Sequence, residues 1–572
     1  MTLNFPPSDV REAGSELSAS GPPGPRRIRL VPLGGLGEIG MNCLALEQDD
    51  GILIVDCGSA FPNDDLGIDV YHPDFSWLVE RAPRIAGVFL THGHEDHIGG
   101  LPYLLADLDI PVWGPPHALE LVRRRLFEHD FGPSEIDLRT AHAGQRYEVG
   151  PFEVEPVRVA HSIVEASALC IETAAGRVLH TGDFNFDPNP PDGEPTDEGR
   201  LSEIGDAGVA LLLSDSTNID VLERPGSEQA VADTLEHLVQ NASGRCLVAL
   251  FASNVQRLIK IGQIARRVGR KVCLLGRSLE TQVNVATRIG RLDWPSDLLV
   301  SPDQAAGVPR DRLLVLAGGT QAERNSALRR ISLGQHPLLT LEAGDTVILS
   351  SRAIPGNERS VIAMINDLLR AGVHVHSRIT DPGVHTSGHA GRGEQRRMLE
   401  LVRPRCFLPV HGTLHHLLRH AALGRELGVE STLVVENGTP VICDGHHLLA
   451  ETEVAHGKVA IAYGGERLDA ATLQARTDLA RYGIAIVVLV VDDDGQLAAR
   501  PKVTTRGIPT VDGQAHALRA LALEVERAFT AFREGRGLSL DEFVRRATRR
   551  KVEDLAGIRP VVSVEMIRLE DV

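Results

Sequence analysis

The pattern of apolar and polar positions gives the first part of the chain the character of packed sheets. Between residues 27 and about 228, short runs rich in β-branched and aliphatic residues are separated by Gly or Asp turns, which is typical of strands. Helical periodicity occurs in between, at residues 101–106 and 118–127. The pattern predicts sheets covered by helices. The predicted strands are residues 28–31, 41–46, 52–55, 87–90, 152–159 and 177–179.

Beyond residue 228 the pattern changes to longer helical segments that alternate with apolar strands. This alternation is typical of a parallel α/β unit. A strand-rich pattern then returns between residues 406 and 441. The predicted helices of the α/β stretch are residues 230–240, 256–268 and 361–371, and its predicted strands are residues 246–251, 272–275, 313–316, 346–350 and 373–376.

A third unit begins near residue 465, with a predicted strand at residues 484–491 between helices at 468–482, 515–532 and 540–548. Because this strand is continuously apolar rather than alternating, we predict that it is buried on both faces. It is also the longest apolar run, far shorter than the roughly 20 residues of a membrane-spanning helix. With no apolar signal segment at the N-terminus, we predict a cytoplasmic protein without a membrane partner.

The charge balance limits the ways in which the chain can bind a polyanion. Among 572 residues, 59 Lys and Arg face 77 Asp and Glu, for a net charge of -18, which argues against binding nucleic acid by bulk charge alone. Seven scattered cysteines form no C-x-x-C pair and are interpreted as small buried residues. Residues 1–26 mix Pro, Gly, Ser and charge without periodicity, which predicts a mobile arm.

The stretch from Gly35 to Gly40 formally matches the G-x-G-x-x-G motif of dinucleotide-binding proteins. Such a site needs a helix that opens inside the motif. The pattern instead predicts two further strands around the Asp49-Asp50-Gly51 turn. A glycine-rich turn between strands is therefore the favoured interpretation.

The strongest chemical signal is a cluster of three histidines and an aspartate directly after the strand at residues 87–90. Residues two apart in an extended segment face the same side, so His92 and His94 can converge on one metal ion. Asp96 and His97 sit where the chain turns into a helix and can face a second ion. Imidazole and carboxylate ligands without sulfur suit zinc or manganese.

Two metal ions need further ligands from elsewhere in the chain. His161 follows the predicted strand at residues 152–159, and Asp183 follows the one at residues 177–179. Strand ends on one edge of a sheet converge, so both residues are candidate ligands.

On the basis of these motifs, residues 27 to about 465 are identified as similar to the β-CASP branch of the metallo-β-lactamase superfamily, and most closely to the ribonuclease J family. The first motif, H-x-H-x-D-H at residues 92–97, specifies only the superfamily. The branch is indicated by the last two motifs, at residues 385–390 and 409–412, and by the long α/β insertion between Asp183 and His411. The later motifs are His161, Asp183, Ser214-Asp215-Ser216-Thr217-Asn218, His385-Thr386-Ser387-Gly388-His389-Ala390 and Pro409-Val410-His411-Gly412.

The resemblance implies an α/β fold, with an αββα metallo-β-lactamase sandwich, an inserted β-CASP α/β domain and a small C-terminal α+β domain. The sandwich would be formed by residues 27–228 and 390–465, and the β-CASP domain by residues 229–389. Residues 466–572 would form a linker and the C-terminal domain. One departure from the family is that its G-S-Q-G-E-like loop reads Gly318-Gly319-Thr320-Gln321-Ala322-Glu323 here, which affects only the finer shape of an RNA path.

The resemblance also implies a two-metal ribonuclease, with Zn²⁺ or Mn²⁺ activating the water that hydrolyses a phosphodiester. One ion would be held by His92, His94 and His161. The other would be held by Asp96, His97 and His411, with Asp183 bridging the two. By the same resemblance, His389 would protonate the leaving sugar oxygen or stabilise the charge of the transition state.

RNA binding is implied for a second set of residues. The loop of His385, Thr386, Ser387, Gly388 and His389 would bind the 5′-monophosphate of RNA, since a hydroxyl and approachable backbone N–H groups suit a phosphate. Ser253 and Asn254 resemble a second RNA-contacting segment, although a turn that ends a strand explains them equally well. Asp215 could orient groups at the metals or support the loop before the insertion.

Three functional classes follow from these features. The favoured one is a ribonuclease with 5′-to-3′ exonuclease and endonuclease activity, acting in RNA maturation and decay. A small-molecule hydrolase on the same fold would not need the long insertion, and an RNA-binding scaffold without metals would not be expected to keep every ligand. The resemblance further implies a homodimer or a higher oligomer supported by the C-terminal unit, and protein partners in RNA decay.

Overall fold

The structure, a computed structural model, describes residues 26–49, 51–62, 66–222, 226–354, 356–534 and 539–568. Apart from its last residue, the arm expected at residues 1–26 lies outside the described residues. The chain divides into two compact units, one of residues 1–63 and 70–459 and one of residues 64–69 and 460–572. Within the described ranges, no helix combines the length and the apolar composition needed to cross a membrane.

The helices and strands follow one another in mixed order along the chain. The strands are β1 Ile28–Gly34, β2 Leu36–Gly37, β3 Cys43–Gln48, β4 Gly51–Val55, β5 Ile68–Pro73, β6 Ile85–Phe89, β7 Val112–Gly114, β8 Leu138–Thr140, β9 Tyr147–Val149, β10 Phe152–Arg158, β11 Ser167–Thr173, β12 Gly176–His180, β13 Leu211–Asp215, β14 Cys246–Ala249, β15 Lys271–Leu275, β16 Leu313–Ala317, β17 Thr346–Leu349, β18 His374–Ser377, β19 Cys406–Val410, β20 Gly412–Thr413, β21 Ser431–Thr432, β22 Val441–Cys443, β23 Leu448–Ala450, β24 Lys458–Ala462, β25 Arg467–Leu468, β26 Ile484–Val491, β27 Lys502–Arg506 and β28 Val561–Arg568. The helices are α1 Ser76–Val79, α2 Glu95–Ile98, α3 Leu101–Asp107, α4 Pro116–Glu128, α5 Glu198–Asp206, α6 Glu228–Asn241, α7 Val255–Val268, α8 Arg277–Arg288, α9 Pro302–Ala305, α10 Ala327–Ser332, α11 Glu358–Arg370, α12 Arg392–Val402, α13 Leu414–Glu426, α14 Ala470–Tyr482, α15 Ala515–Glu534 and α16 Leu540–Ala556.

The first unit contains two large sheets packed face to face. One has the strand order β23-β22-β1-β3-β4-β6-β7-β8, and the other has the order β21-β19-β13-β12-β11-β10-β9. Apolar side chains such as Leu30, Leu46, Leu169 and Leu213 fill the space between them. Separate cores lie on the outer faces, under α3 and α4 on the first sheet and under α5, α12 and α13 on the second. The result is an αββα sandwich, as expected.

A parallel five-stranded sheet, in the order β15-β16-β14-β17-β18, forms a separate α/β layer in the same unit. Helices α6, α7 and α8 cover one face and α10 and α11 cover the other. The chain therefore leaves the sandwich after β13 and returns to it with α12 and then β19, which pairs with β13 in parallel. The exact limits of this inserted domain, residues 229–389, stay a prediction.

Two parts of the sandwich differ from the sequence expectation. The strand expected at residues 41–46 begins only at Cys43, because Met41 has a positive φ of 54° and the backbone N–H of Asn42 binds the carbonyl of Asp96 instead of the sheet. Helix α13 occupies a large part of residues 406–441, for which a strand-rich pattern was expected. The glycine-rich turn at residues 35–40 opens no helix, as expected, and its short strand β2 pairs with β20 beside His411.

The second unit is built around a three-stranded sheet in the order β27-β26-β28, in which β26 pairs in parallel with β28 and antiparallel with β27. One face of β26 is buried against α15 and α16, through residues such as Val487 and Leu489. Alternate residues, among them Ile486 and Val488, are only half-buried. The prediction that this strand is buried on both faces was therefore wrong, because these helices contribute to a core on one face of the sheet.

Candidate metal centre

Loops that follow four strands bring the candidate ligands to one place in the sandwich. The loop after β6 carries the His92 to His97 cluster, and α2 begins at Glu95 inside it. The other candidates follow β10, β12 and β19. One of them, His411, has a φ of 52°, an uncommon conformation for a residue with a side chain, which points to a functional constraint. The residues brought together are His92, His94, Asp96, His97, His161, Asp183 and His411.

The first ligand group consists of His92, His94, His161 and Asp183, whose ligand atoms lie within 4.8 Å of one another. Nδ1 of His94 lies 3.1 Å from Nε2 of His92 and 3.1 Å from Nε2 of His161. The N–H protons of His92 and His161 point away from His94. Nδ1 of His92 donates to the Thr91 hydroxyl, and Nδ1 of His161 donates to the Gly388 carbonyl. Three ring nitrogens therefore converge on one point.

This donor set fits a metal ion. Burial lowers the pKa of His161 to about 4 and holds the pKa values of His92 and His94 well below their usual range, so the rings are neutral. His94 Nδ1 carries at most one proton, so at most one of its two contacts can be a hydrogen bond. Tetrahedral zinc with Zn–N bonds of about 2.0–2.1 Å requires N···N separations of about 3.3 Å, close to the observed spacing.

The second ligand group consists of Asp96, His97, Asp183 and His411. Oδ2 of Asp183 lies 3.3 Å from Nε2 of His97 and 3.6 Å from Nε2 of His161, so it faces both groups. Nδ1 of His411 donates to Oδ1 of Asp183 at 2.8 Å, and its Nε2 lies 3.5 Å from Oδ2 of Asp96. Asp183 is thus placed where one carboxylate could contact two ions.

Unlike the histidines of the first ligand group, those of the second group have raised pKa values. Burial disfavours protonation of His411, but the Asp183 carboxylate outweighs it and raises the pKa of His411 to about 9. The pKa of His97 is likewise raised, against burial, by Asp183 and Asp56. In turn, the His411 and His97 rings overcome the burial of Asp183 and hold its pKa well below the usual value. The centre therefore stabilises positive charge around an ionised carboxylate.

Asp56, at the end of β4, orients the cluster and was not anticipated from the sequence. Its Oδ2 accepts hydrogen bonds from Nδ1 of His97 at 2.7 Å and from the Thr91 hydroxyl at 2.8 Å. Its neighbour Gly58 is required because a Cβ there would lie 1.7 Å from the Asp96 carbonyl oxygen. A signal was available, because Asp56 ends a strand on the same sheet edge as the histidine cluster.

His389 lies beside both ligand groups and forms a pair with Asp215. Its Nδ1 donates to Oδ2 of Asp215 at 2.8 Å, and Asp183, Asp215, His389 and His411 form a third close group. Burial lowers the pKa of His389, but the charges of Asp215 and Asp183 outweigh it and raise the pKa above its usual value. The other oxygen of Asp215, Oδ1, accepts hydrogen bonds from the Thr217 backbone N–H at 2.9 Å and from the Thr217 hydroxyl at 2.7 Å, so Asp215 supports the loop before the insertion and also orients His389.

The loop of residues 385–389 is held from several sides. Asn218 Nδ2 donates to the Ser387 hydroxyl at 2.8 Å and to the His389 carbonyl at 3.0 Å. Gly388 packs so closely that a Cβ would lie 2.8 Å from the His161 ring. His385 accepts a hydrogen bond from the buried Arg257, and the Thr386 hydroxyl donates to the Gly226 carbonyl. These contacts fix the loop against the metal centre.

The other predicted RNA-contacting segment, after β14, is mainly involved in packing. The Asn254 side chain caps α7 by accepting the N–H of Arg257 at 2.9 Å, and its amide donates to Glu228. Asn254 is buried, whereas Ser253 is half-buried. Contact of these two residues with RNA stays a prediction.

Comparison with known proteins gives matches to four family profiles along the chain. Residues 36–228 match the profile described as the metallo-beta-lactamase superfamily, and residues 243–368 match the ribonuclease J beta-CASP domain. Residues 372–434 match the Zn-dependent metallo-hydrolase RNA specificity domain, and residues 471–569 match the ribonuclease J C-terminal domain. The profiles confirm the predicted fold class, including the order of its domains.

Individual proteins agree with the profiles. Ribonuclease J 1 of Streptococcus pyogenes serotype M3 is 37% identical, over 84% of this chain and 87% of that protein. Ribonuclease J of Mycobacterium tuberculosis is 40% identical, over 85% of this chain and 88% of that protein. A crystal structure of a protein of unknown function from Enterococcus faecalis V583 shares the fold, with a TM-score of 0.53 and 18% identity over 73% of this chain and 100% of that one. The extent of these matches shows that the chain belongs to the ribonuclease J family.

Proposed function

We propose that this metal-dependent ribonuclease uses two divalent ions, Zn²⁺ or Mn²⁺, to degrade RNA from its 5′ end and also to cleave RNA internally, in RNA maturation and decay. The observation that carries the proposal is the pair of ligand groups that share Asp183, with His389 beside them. A binuclear centre of this kind is suited to phosphodiester hydrolysis, because the positive charge of its ions can offset the negative charge of a polyanion.

The residues of the two groups supply a complete ligand set. His92, His94 and His161 would hold one ion, and Asp96, His97 and His411 would hold the other, with Asp183 between them. When bound, two ions lower the pKa of a water molecule and stabilise the charge that develops on the phosphate. Asp56 keeps the His97 ring oriented, since it accepts the proton on Nδ1.

His389 is the proposed general acid. With Nδ1–H bonded to Asp215, the ring can carry a second proton on Nε2, and the raised pKa of His389 favours this protonated form. Donation of that proton to the leaving sugar oxygen would complete the cleavage. Asp215 stays ionised and holds the ring in the orientation required.

The proposed 5′-phosphate site is Ser387 and Gly388. The Ser387 oxygen accepts hydrogen bonds from Asn218 Nδ2 at 2.8 Å and from the His389 backbone N–H at 3.3 Å. Its own proton is therefore free to be donated, and an anionic oxygen is the strongest available type of acceptor. A monophosphate fits a loop held this firmly better than a triphosphate.

A homodimer, and cytoplasmic action on RNA, complete the proposal. In the second unit, β28 lies at the edge of its sheet and carries exposed apolar residues, Met566 and Ile567. Exposed apolar side chains on a sheet edge favour association with another chain. Protein partners in RNA decay are proposed from the family alone.

The test is degradation of 3′-labelled RNAs that differ only in their 5′ group. Monophosphorylated RNA should be shortened about tenfold faster than triphosphorylated RNA, and Ser387→Leu should remove most of that preference, since a bond to a charged group is worth about 1.5–3 kcal/mol. Ser360→Leu, on the exposed surface of α11, is the matched control. Equal rates for all 5′ ends in the unmodified enzyme would refute the 5′-phosphate site. Metal analysis of protein purified without chelators would give the identity and number of the ions.

A further inference from the structure

The inserted α/β unit has a crevice of its own at the carboxyl ends of its strands. After β14 the chain runs to β15 on one side of the sheet, whereas after β17 it runs to β18 on the other side. The adjacent strands β14 and β17 therefore flank a topological switch point, which is where open α/β sheets bind ligands. Arg352 follows β17 at this edge, and Arg378 follows β18.

These two arginines have no anionic partner within the described part of the chain. The Arg352 side chain forms one long hydrogen bond, from Nη1 to Oδ1 of Asn218 at 3.4 Å. Among the residues that the structure describes, no carboxylate lies within ion-pair distance of either guanidinium. Two other arginines of the unit do have such partners, since Arg329 pairs with Asp367 at 2.7 Å and Arg310 pairs with Asp345 at 2.7 Å.

The pair is also electrostatically unfavourable as it stands. Burial lowers the pKa of Arg352, and the nearby positive charge of Arg378 lowers it further. Burial lowers the pKa of the half-buried His385, and both arginines contribute to lowering it further. Like charges held together in a partly buried place are destabilising unless an anion binds there.

The chain holds Arg352 in place through Gln321, from the loop at residues 318–323 that departs from the family pattern. Its Nε2 donates to the Arg352 carbonyl at 2.9 Å, and its Oε1 accepts the N–H of Ile354 at 2.7 Å. Gln321 is itself buried, at 6% exposure. The loop is thus fixed at Arg352 and at Ile354, so little ordering of the Arg352 backbone is needed when a ligand binds.

We propose that Arg352 and Arg378 bind a backbone phosphate of the RNA strand, beside the phosphate that Ser387 would hold. Asn218 connects the two places, because its Oδ1 faces Arg352 and its Nδ2 faces Ser387. The planar guanidinium suits the oxygens of a phosphodiester, which it can contact through two N–H groups. This inference rests on the proposed ribonuclease function and adds a strand-binding site to it.

The test compares Arg352→Gln and Arg378→Gln with the unmodified full-length protein. Arg378 is exposed, so its variant carries little risk of misfolding. The matched control is Arg312→Gln, an exposed arginine just before β16, at the opposite, amino end of the same sheet. Two substrates are used: a single-stranded RNA with either a 5′-monophosphate or a 5′-hydroxyl, and bis(p-nitrophenyl) phosphate, a small diester that needs only the metal centre.

Each variant should raise KM for RNA about tenfold, and should reduce the slope of log(kcat/KM) against log salt by about 0.7 for the lost phosphate contact. Both 5′ forms of the RNA should be affected equally, and turnover of the small diester should not change. A loss confined to monophosphorylated RNA would overturn the proposal and assign the arginines to the terminal phosphate. Unchanged RNA kinetics, or an equal loss with the small diester, would also overturn it. Absence of RNA cleavage by the unmodified protein would instead refute the proposed function itself.

Discussion

Replacing Arg257 with leucine should destabilise the inserted unit strongly. Arg257 is 1% exposed, and its Nη2 donates to Oε1 of Glu228 at 2.6 Å while its Nη1 donates to the Ser350 carbonyl at 2.6 Å. Among the described residues, Arg257→Leu would leave the buried Glu228 carboxylate with a single side-chain donor, the Asn254 amide at 3.3 Å. Removing one partner of a buried ion pair costs about 3–5 kcal/mol, because the other charge stays buried without compensation.

Calorimetry is the suitable assay, since a chain with several units does not unfold in one step and each transition must be followed separately. For a unit of 150–250 residues, a loss of about 3–5 kcal/mol lowers the melting midpoint by roughly 6–20 °C. The double variant Arg257→Leu with Glu228→Leu removes both charges. It should recover most of the loss, because apolar replacements of a buried pair are often close to neutral.

The same two helices provide a matched control on the surface. Arg267 of α7 pairs with Glu236 of α6 at 2.6 Å, and the two side chains are 52% and 30% exposed. Arg267→Leu should cost no more than about 1 kcal/mol, because solvent screens an exposed pair. Equal midpoints for the Arg257 and Arg267 variants would refute the argument from burial, and so would a double variant no more stable than Arg257→Leu.

Three further predictions concern the centre and the second unit. Asp96→Ala should abolish RNA cleavage but leave the circular dichroism spectrum unchanged, because the side chain lies on the single-turn helix α2 and is 32% exposed; near-normal turnover at saturating metal would contradict the two-metal mechanism. Asp215→Asn removes a charge that raises the pKa of His389, so the alkaline limb of kcat, where the acid loses its proton, should move to lower pH. A pH profile with an unmoved limb would show that His389 is not the acid. Truncation near residue 468 should lower the oligomeric mass in light scattering and reduce RNA turnover, whereas an unchanged dimer mass would place association on another surface.

Local apolar periodicity was sufficient to locate many elements of the fold. The strand expected at residues 484–491 has the same limits as β26, and the helix expected at residues 256–268 differs from α7 by one residue. The burial of β26 could not be predicted, since it depends on which faces other elements cover. Helix α13 was missed because its three histidines, at positions 415, 416 and 420, interrupt the apolar pattern.

The metal ligands could be predicted from the sequence because most of them belong to short motifs. The residues that orient the ligands and the 385–389 loop were harder to predict. Asp56 and Arg257 contact residues that are distant in the sequence, and only the folded chain brings them together. Asn254 shows that a residue singled out from the sequence can have a structural role instead of a functional one. An Asn after a strand can touch a substrate or cap the next helix, and the sequence alone does not distinguish these; here the side chain caps α7.

The pairing of β13 with β19 has a consequence for how the protein is made. Asp215 pairs with Val410, so the strand beside β13 leaves the ribosome only after the whole inserted unit. Until then Leu211, Leu212 and Leu213 form an uncovered apolar edge, which is prone to pairing with other chains. His411 follows β19 directly, so the centre cannot be completed on a nascent chain that ends within the insertion. The order of synthesis thus delays nuclease activity until the inserted unit has been made. Until β19 is available, the growing chain also depends on some protection of the exposed edge of β13 against pairing with other chains.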